Sequence, residues 1–286
     1  MLQVARLAPT LLGESKDLVV DFLHRAQSAD GGFQDRGGDS DLYYTVFGLE
    51  GLLALHQELP ATAASYLEQF GDGASLDLVH LTCLARAWGI IDRSGPPAAV
   101  RDAIARRLDQ HRSSDGGFAI VRAAEQGTAY ACFLALGAIE DLGVDADLGG
   151  VANCVRQLRS RDGAYANHPA AEEGSTPATA AAVMVLHHLG QTVDPVVAEW
   201  LVRRCHPDGG FFAAPRAPIP DLLSTATSLH ALSTLHADSA PLREPCLDFV
   251  DTLWTSAGGF YGNWTDQTLD CEYTYYGLLA LGHLSL

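Results

Sequence analysis

Asp30-Gly31-Gly32-Phe33, followed by Asp41-Leu42-Tyr43-Tyr44-Thr45 and an apolar run to Leu55, decides the fold because the chain repeats it. The turn recurs as Asp115-Gly116-Gly117-Phe118, Asp162-Gly163-Ala164-Tyr165, Asp208-Gly209-Gly210-Phe211 and Gly258-Gly259-Phe260. A second copy, Gly71-Asp72-Gly73-Ala74, is degenerate. After each turn a polar residue opens an apolar segment: Asp41, Asp77, Thr128, Ser175, Asp221 and Asp270. These openings lie 36 to 51 residues apart, the spacing of helix-pair repeats.

Each copy reads as two helices. The first is amphipathic; in Lys16–Gln27, Leu18, Val19, Phe22 and Leu23 are spaced for one buried face. The glycine pair is expected to end that helix and turn the chain. The second helix is apolar nearly all round, as in Thr45 to Leu55 or Thr179 to Leu186, and a helix without a polar face must be buried on every side. Six half-exposed helices alternating with six buried ones suit an outer ring around an inner one. A linear solenoid would need polar capping repeats. The last copy, Tyr275 to Leu286, is as apolar as the middle ones, so closure is expected. The predicted fold is an all-α (α/α)6 toroid forming a single domain over residues 1–286.

Composition narrows the function. The chain has 286 residues, 48% of them hydrophobic, and its 18 Lys and Arg against 35 Asp and Glu leave a formal net charge of -17. Such a surface repels nucleic acid and anionic membranes. No run approaches the roughly 18 consecutive apolar residues of a membrane span. Met1 to Leu12 lacks the basic start and long apolar run of a signal peptide. The six cysteines are scattered without a C-x-x-C pair, mostly in apolar helical stretches. A reducing cytoplasm is the expected compartment.

The Gly-Gly-aromatic turn followed by D-x-x-x-T and an apolar helix resembles the repeat of protein prenyltransferase β subunits, squalene–hopene cyclases and oxidosqualene cyclases. The resemblance runs from about residue 16 onward, and five of six copies carry it. It implies an isoprenoid substrate, often a diphosphate. A geometric argument agrees for any amphiphile with an acidic head: the inner helices all start at one rim, where unpaired N–H groups favour an anion above an apolar well.

The first repeat looks like the zinc-bearing repeat of prenyltransferases. There the resemblance makes Asp41 the carboxylate ligand, Arg36 a diphosphate-binding arginine and Tyr44 a tyrosine on the diphosphate. His80, three residues after Asp77, matches the histidine ligand. Tyr43 stands at the cysteine position, and a neutral phenol is a poor zinc ligand. Zinc therefore has two of its three family ligands. Class II cyclases use the same column for a protonated acid in D-x-D-D-T-A. The fifth repeat, Asp221-Leu222-Leu223-Ser224-Thr225-Ala226, has Leu223 where that acid belongs, whereas Asp270-Cys271-Glu272-Tyr273-Thr274 puts Glu272 there. Flanked by apolar helices, Glu272 should be pushed towards its protonated form, with Asp270 repelling in the same direction. Cys271 is one residue, about 100° of helix, out of register and reads as a buried thiol. Each opening Asp also reads as a helix N-cap. The tyrosines Tyr43, Tyr44, Tyr130, Tyr273, Tyr275 and Tyr276 suit either cation–π contact or packing.

Three functions stay open on these residues: a prenyltransferase-like transferase, an acid-initiated cyclase or isomerase using Glu272, and a non-catalytic ring binding an isoprenoid or a helical partner subunit. The seam where the sixth repeat meets the first two is where chemistry is expected.

Overall fold

The computed structural model describes residues 1–92 and 95–286. Its helices in chain order are α1 (Leu2–Ala5), α2 (Pro9–Leu12), α3 (Lys16–Ala26), α4 (Leu42–Ala54), α5 (Ala63–Glu68), α6 (Leu78–Ile91), α7 (Ala98–Asp109), α8 (Ala129–Leu142), α9 (Val151–Gln157), α10 (Thr176–His188), α11 (Val196–Val202), α12 (Leu222–Thr234), α13 (Arg243–Leu253) and α14 (Cys271–Leu284). Two antiparallel ladders of two residues per strand accompany them, β1 (Phe33–Gln34) with β2 (Ser40–Asp41) and β3 (Phe211–Phe212) with β4 (Pro220–Asp221). No described helix is long and apolar enough to cross a membrane.

The chain forms two compact units, one of Met1–Ala61 with Ala198–Leu286 and one of Thr62–Val197. In the first, the apolar helices α12, α14 and α4 lie side by side, and α3 packs against both α4 and α14. In the second, α6, α8 and α10 lie side by side, with α7 between α6 and α8 and α9 between α8 and α10. An amphipathic helix thus seats its apolar face in the groove between two buried ones, the helix-pair alternation expected from the sequence.

Each apolar helix starts at its landmark residue. Asp41, Asp77, Thr128, Asp221 and Asp270 all sit in extended backbone and accept amide hydrogens of the first turn through their side chains. The capping reading of these residues is therefore correct, and it satisfies donors that the helix itself leaves unpaired. Four residues after the cap, the threonine of D-x-x-x-T does a second job. Thr45 Oγ1 donates to the Asp41 carbonyl at 2.6 Å and accepts the Phe33 amide at 2.9 Å. Thr225 repeats this with Asp221 at 2.7 Å and Phe211 at 2.9 Å. Thr179 takes the Tyr165 amide at 3.1 Å, and in the third repeat Cys132 Sγ takes that of Phe118 at 3.3 Å. The turn aromatics Phe33, Phe118, Tyr165, Phe211 and Phe260 are all buried. Room for two of them comes from glycine: a β-carbon at Gly48 would collide with the Phe33 ring, and one at Gly277 with the Phe260 ring.

Two details differ from the sequence reading. The glycine pair does not end the amphipathic helix; α3 stops at Ala26, and Gln27 bridges in antiparallel fashion to Phe33 before the chain turns. The same bridge joins Arg112 to Phe118, Arg159 to Tyr165, Cys205 to Phe211 and Trp254 to Phe260. The first glycine instead allows a left-handed backbone and a close approach. Gly258 has φ +91° and lies on the Leu18 carbonyl, so the sixth turn rests on the outer helix of the first repeat. That contact also explains the second difference: Leu18 points outward and is 42% exposed, while Val19 and Leu23 form the buried stripe.

Thr225→Val keeps the shape of a fully buried side chain but orphans the Phe211 amide. It should cost about 1–3 kcal/mol in denaturant unfolding. Thr225→Ser retains both hydrogen bonds and should lose less; equal losses would show that the hydroxyl contributes nothing.

Candidate active site

The site is built where α14 starts beside α4, within the first unit. Asp270 caps α14, its Oδ1 accepting the Tyr273 amide at 2.8 Å and its carbonyl accepting Thr274 Oγ1 at 2.7 Å. The other oxygen, Oδ2, accepts Arg36 Nε at 2.8 Å, although the Asp270 side chain is only 1% exposed. Arg36 also donates from Nη1 to Asp266 at 2.9 Å and lies 5.4 Å from the centre of the Tyr273 ring. One helical step beyond the cap, half-buried Glu272 reaches across to α4. Its Oε1 accepts the Tyr43 hydroxyl at 2.6 Å.

Aromatic rings cluster beside Tyr43, the partner of Glu272. Tyr43 meets Tyr44 edge-on at 5.6 Å and Phe47 at 4.9 Å, and Phe47 in turn meets Tyr275 at 5.8 Å and Tyr276 at 5.5 Å. Tyr43 and Phe47 are four residues apart on α4 and so share a face. The result is one buried-to-exposed strip with carboxyl groups at its polar edge and π faces below.

Burial sets the electrostatics. It pushes Glu272 up from the ordinary carboxyl range, and the negative charge of Asp270 adds to it. The Tyr43 hydroxyl and the Arg36 charge oppose without cancelling. Burial also raises Asp270, but the Tyr273 amide and Arg36 work against it, and a guanidinium bonded at 2.8 Å keeps it the anion of that pair. Arg36 is held above its usual value: burial disfavours its charge, and Asp270 and Asp266 outweigh that. The Tyr44 phenol is raised by burial and then by Asp270 and Glu272, and Tyr273 is pushed to about 12 by burial and then Glu272. Burial thus raises both carboxyls, and they differ in their partners: Asp270 meets a guanidinium and Glu272 a neutral phenol.

The structure therefore brings Arg36, Tyr43, Tyr44, Asp270, Glu272 and Tyr273 together at the junction of the sixth and first repeats. Asp41 belongs to the same unit, but its carboxylate accepts the Tyr43 and Tyr44 amides at 2.7 and 3.2 Å. His80 lies in the other unit, its Nδ1 2.8 Å from Asp77 Oδ1. Among the described residues no group of three or more His, Cys, Asp or Glu side chains is placed to hold a metal ion. With Tyr43 at the cysteine position engaged by Glu272, these side chains do not fit a zinc site. Asp266 and Phe47 are not found by sequence reasoning; Phe47 lies four residues after Tyr43 on α4, a helical spacing that is the available signal, whereas Asp266 lies in the loop before α14 and has none.

The family model described as the prenyltransferase alpha-alpha toroid domain matches residues 11–85, 79–212 and 192–285. The chain belongs to this family. Its fold is accordingly the all-α toroid. None of the curated proteins matches the chain by sequence. Among solved structures, the type II terpene cyclase MstE from Scytonema, in complex with geranylgeranyl dihydroxybenzoate as substrate, is similar at TM-score 0.65 and 14% identity over 97% of each chain. Candida albicans protein geranylgeranyltransferase-I complexed with GGPP gives TM-score 0.53 and 18% identity over 99% of this chain and 81% of that one. A GH76A alpha-1,6-mannanase from Salegentibacter gives TM-score 0.62 and 12% identity over 95% and 98%. A glycosidase at the same similarity shows that these likenesses carry the toroid and not its chemistry.

A raised carboxyl has a definite linkage sign. The folded toroid holds the Glu272 proton more tightly than the unfolded chain does. The associated stability is complete below the ordinary glutamate value of about 4.3 and is lost as pH rises through the folded value. Glu272→Gln keeps an acceptor for Tyr43 and removes the titration. Its Tm relative to the parent should therefore rise between pH 4 and pH 8; a difference independent of pH would contradict the raised carboxyl.

Proposed function

We propose that this toroid is an enzyme acting on an isoprenoid, and that it starts the reaction by protonating an alkene with Glu272. The observation that carries this is the Glu272 carboxyl itself: half-buried, raised by burial, bonded to Tyr43 at 2.6 Å and bordered by aromatic rings. The substrate class is supported by family membership and by the isoprenoid ligands in the two structurally similar enzymes.

The step follows from the geometry. Glu272 gives its O–H proton to the less substituted carbon of a trisubstituted alkene, and the electron pair of the π bond forms the new C–H bond. A tertiary carbocation remains on the neighbouring carbon. The Tyr43 hydroxyl, already donating to Oε1, stabilises the carboxylate left behind. The π faces of Tyr43, Phe47 and Tyr276 stabilise the positive charge while an internal alkene attacks it. Loss of a proton from the cyclised cation closes the sequence, and Glu272 recovers its proton from solvent. Arg36 balances the charge of Asp270, and Glu272 is the carboxyl assigned the transferred proton.

A prenyl-transfer reading draws on the geranylgeranyltransferase likeness and on Arg36 as a diphosphate ligand. Arg36, however, already serves Asp266 and Asp270, which leaves it little charge to offer a diphosphate. Protonation needs no diphosphate departure.

The two readings separate when the protein is incubated with a polyprenyl diphosphate series and with geranylgeranyl dihydroxybenzoate. Cyclised products without pyrophosphate release are expected. Glu272→Gln should lower turnover by about 10²- to 10⁴-fold, the range for a positioned general acid. Tyr43→Phe should be slower and should move the alkaline limb of the pH profile upward, because it removes a group that favours the carboxylate. Stoichiometric pyrophosphate release with undiminished turnover by Glu272→Gln would overturn the proposal, and binding without turnover would leave a carrier ring in its place.

A further inference from the structure

Six free cysteines are distributed over the chain, and two of them meet outside the acid site. Cys205 Sγ and Cys246 Sγ lie 4.0 Å apart in the first unit, although 41 residues separate them in sequence. Cys205 follows α11 at the start of the fifth Gly-Gly-Phe turn and is half-buried. Cys246 is fully buried on α13, the outer helix of the sixth repeat.

We propose that Cys205 and Cys246 form a thiol-oxidation site, at which a low-molecular-weight disulfide converts the pair to an intrachain disulfide. Three observations carry this. The sulfurs must approach by only about 2 Å to reach bonding distance. Cys205 lies in the irregular segment between α11 and β3, so its side chain can rotate without unwinding a helix. The backbones here are already pressed together: Gly209 has φ +89°, and a β-carbon on it would collide with the carbonyl of Pro245, the residue before Cys246. Bridging the pair therefore demands no rearrangement of the repeat.

The surroundings also assign roles. The Gly210 amide donates to the Cys246 sulfur, and the Cys205 and Cys246 thiols share a hydrogen bond. Cys246 is shielded by burial, while half-buried Cys205 faces the incoming reagent. Cys205 loses its proton to solvent and attacks one sulfur of the reagent disulfide, and the first reagent thiolate leaves and is protonated by solvent. Cys246 then attacks the Cys205 sulfur and expels the second. Two S–H bonds and the reagent S–S bond are broken; one protein S–S bond and two reagent S–H bonds are formed. Cys132 and Cys154 make another thiol–thiol hydrogen bond in the other unit. Both are fully buried, so the native protein contains its own inaccessible control pair.

The bridge would staple the fifth turn to the outer helix of the sixth repeat, closing a long loop. The test treats the native full chain with oxidised glutathione, then alkylates the remaining thiols and maps peptides by mass. Expected is loss of two of the six thiols, a linked Cys205–Cys246 peptide pair and no retained glutathione. Tm should rise by on the order of 5 °C and return on reduction. Cys246→Ala should instead retain one glutathione on Cys205, because the resolving thiol is gone. Wild-type protein that stops at a glutathione adduct on Cys205, that keeps all six thiols, or that links Cys132 to Cys154 first would overturn the proposal.

Discussion

One side chain, four residues after the helix cap, holds the turn in register in four of these repeats. Thr45 and Thr225 each return a hydrogen bond to their own cap carbonyl and accept the amide of the turn aromatic. That aromatic is bridged to the residue following the amphipathic helix. The side chain therefore fixes where the outer helix ends, where the inner helix begins, and how deeply the aromatic is driven between them. It works because the amide it accepts is buried and would otherwise be unsatisfied, a loss larger than the net gain of an ordinary hydrogen bond. Cys132 fills the same position with a weaker acceptor, its sulfur taking the Phe118 amide at 3.3 Å.

The acid site is a consequence of that register. Fixing the start of α14 puts Asp270 at the cap and Glu272 two residues along, facing α4. Asp270 receives the Tyr273 amide and Arg36, so its negative charge is compensated in place. Glu272 receives the Tyr43 hydroxyl, and Tyr43 in turn packs against Phe47. Burial raises both carboxyls of this helical turn, but Asp270 has its charge balanced by a guanidinium whereas Glu272 has the neutral Tyr43 hydroxyl. An isolated buried acid would be a liability for stability; here the cost falls in the one place where a proton donor is useful.

The fold was legible in the sequence because its information is repetitive. Five copies of one turn, each followed by a capping residue and an apolar helix, leave little else to build, and the family match agrees. What the sequence misjudged was local: the glycines were assigned to helix ends, whereas their φ values near +90° serve a turn pressed onto the next outer helix. Leu18 fits the apolar period of α3 but faces outward, since its backbone supports Gly258. The cluster of Arg36, Tyr43, Asp270 and Glu272 could be anticipated by aligning repeat columns, because equal positions in consecutive repeats become neighbours. Its pairings could not. Asp266 as the second partner of Arg36, the Tyr43–Glu272 bond and the Cys205–Cys246 contact all depend on side-chain reach between distant segments. Spacing along the chain carries no record of that.

The account stands on Glu272 being an acid that keeps its proton. Infrared difference spectroscopy of the unliganded protein against Glu272→Gln, followed across pH, isolates that single carboxyl. The account predicts that the protonated carboxyl band of Glu272 persists well above the ordinary glutamate value of about 4.3 and moves higher still in Tyr43→Phe. A band that disappears at or below that value would contradict it.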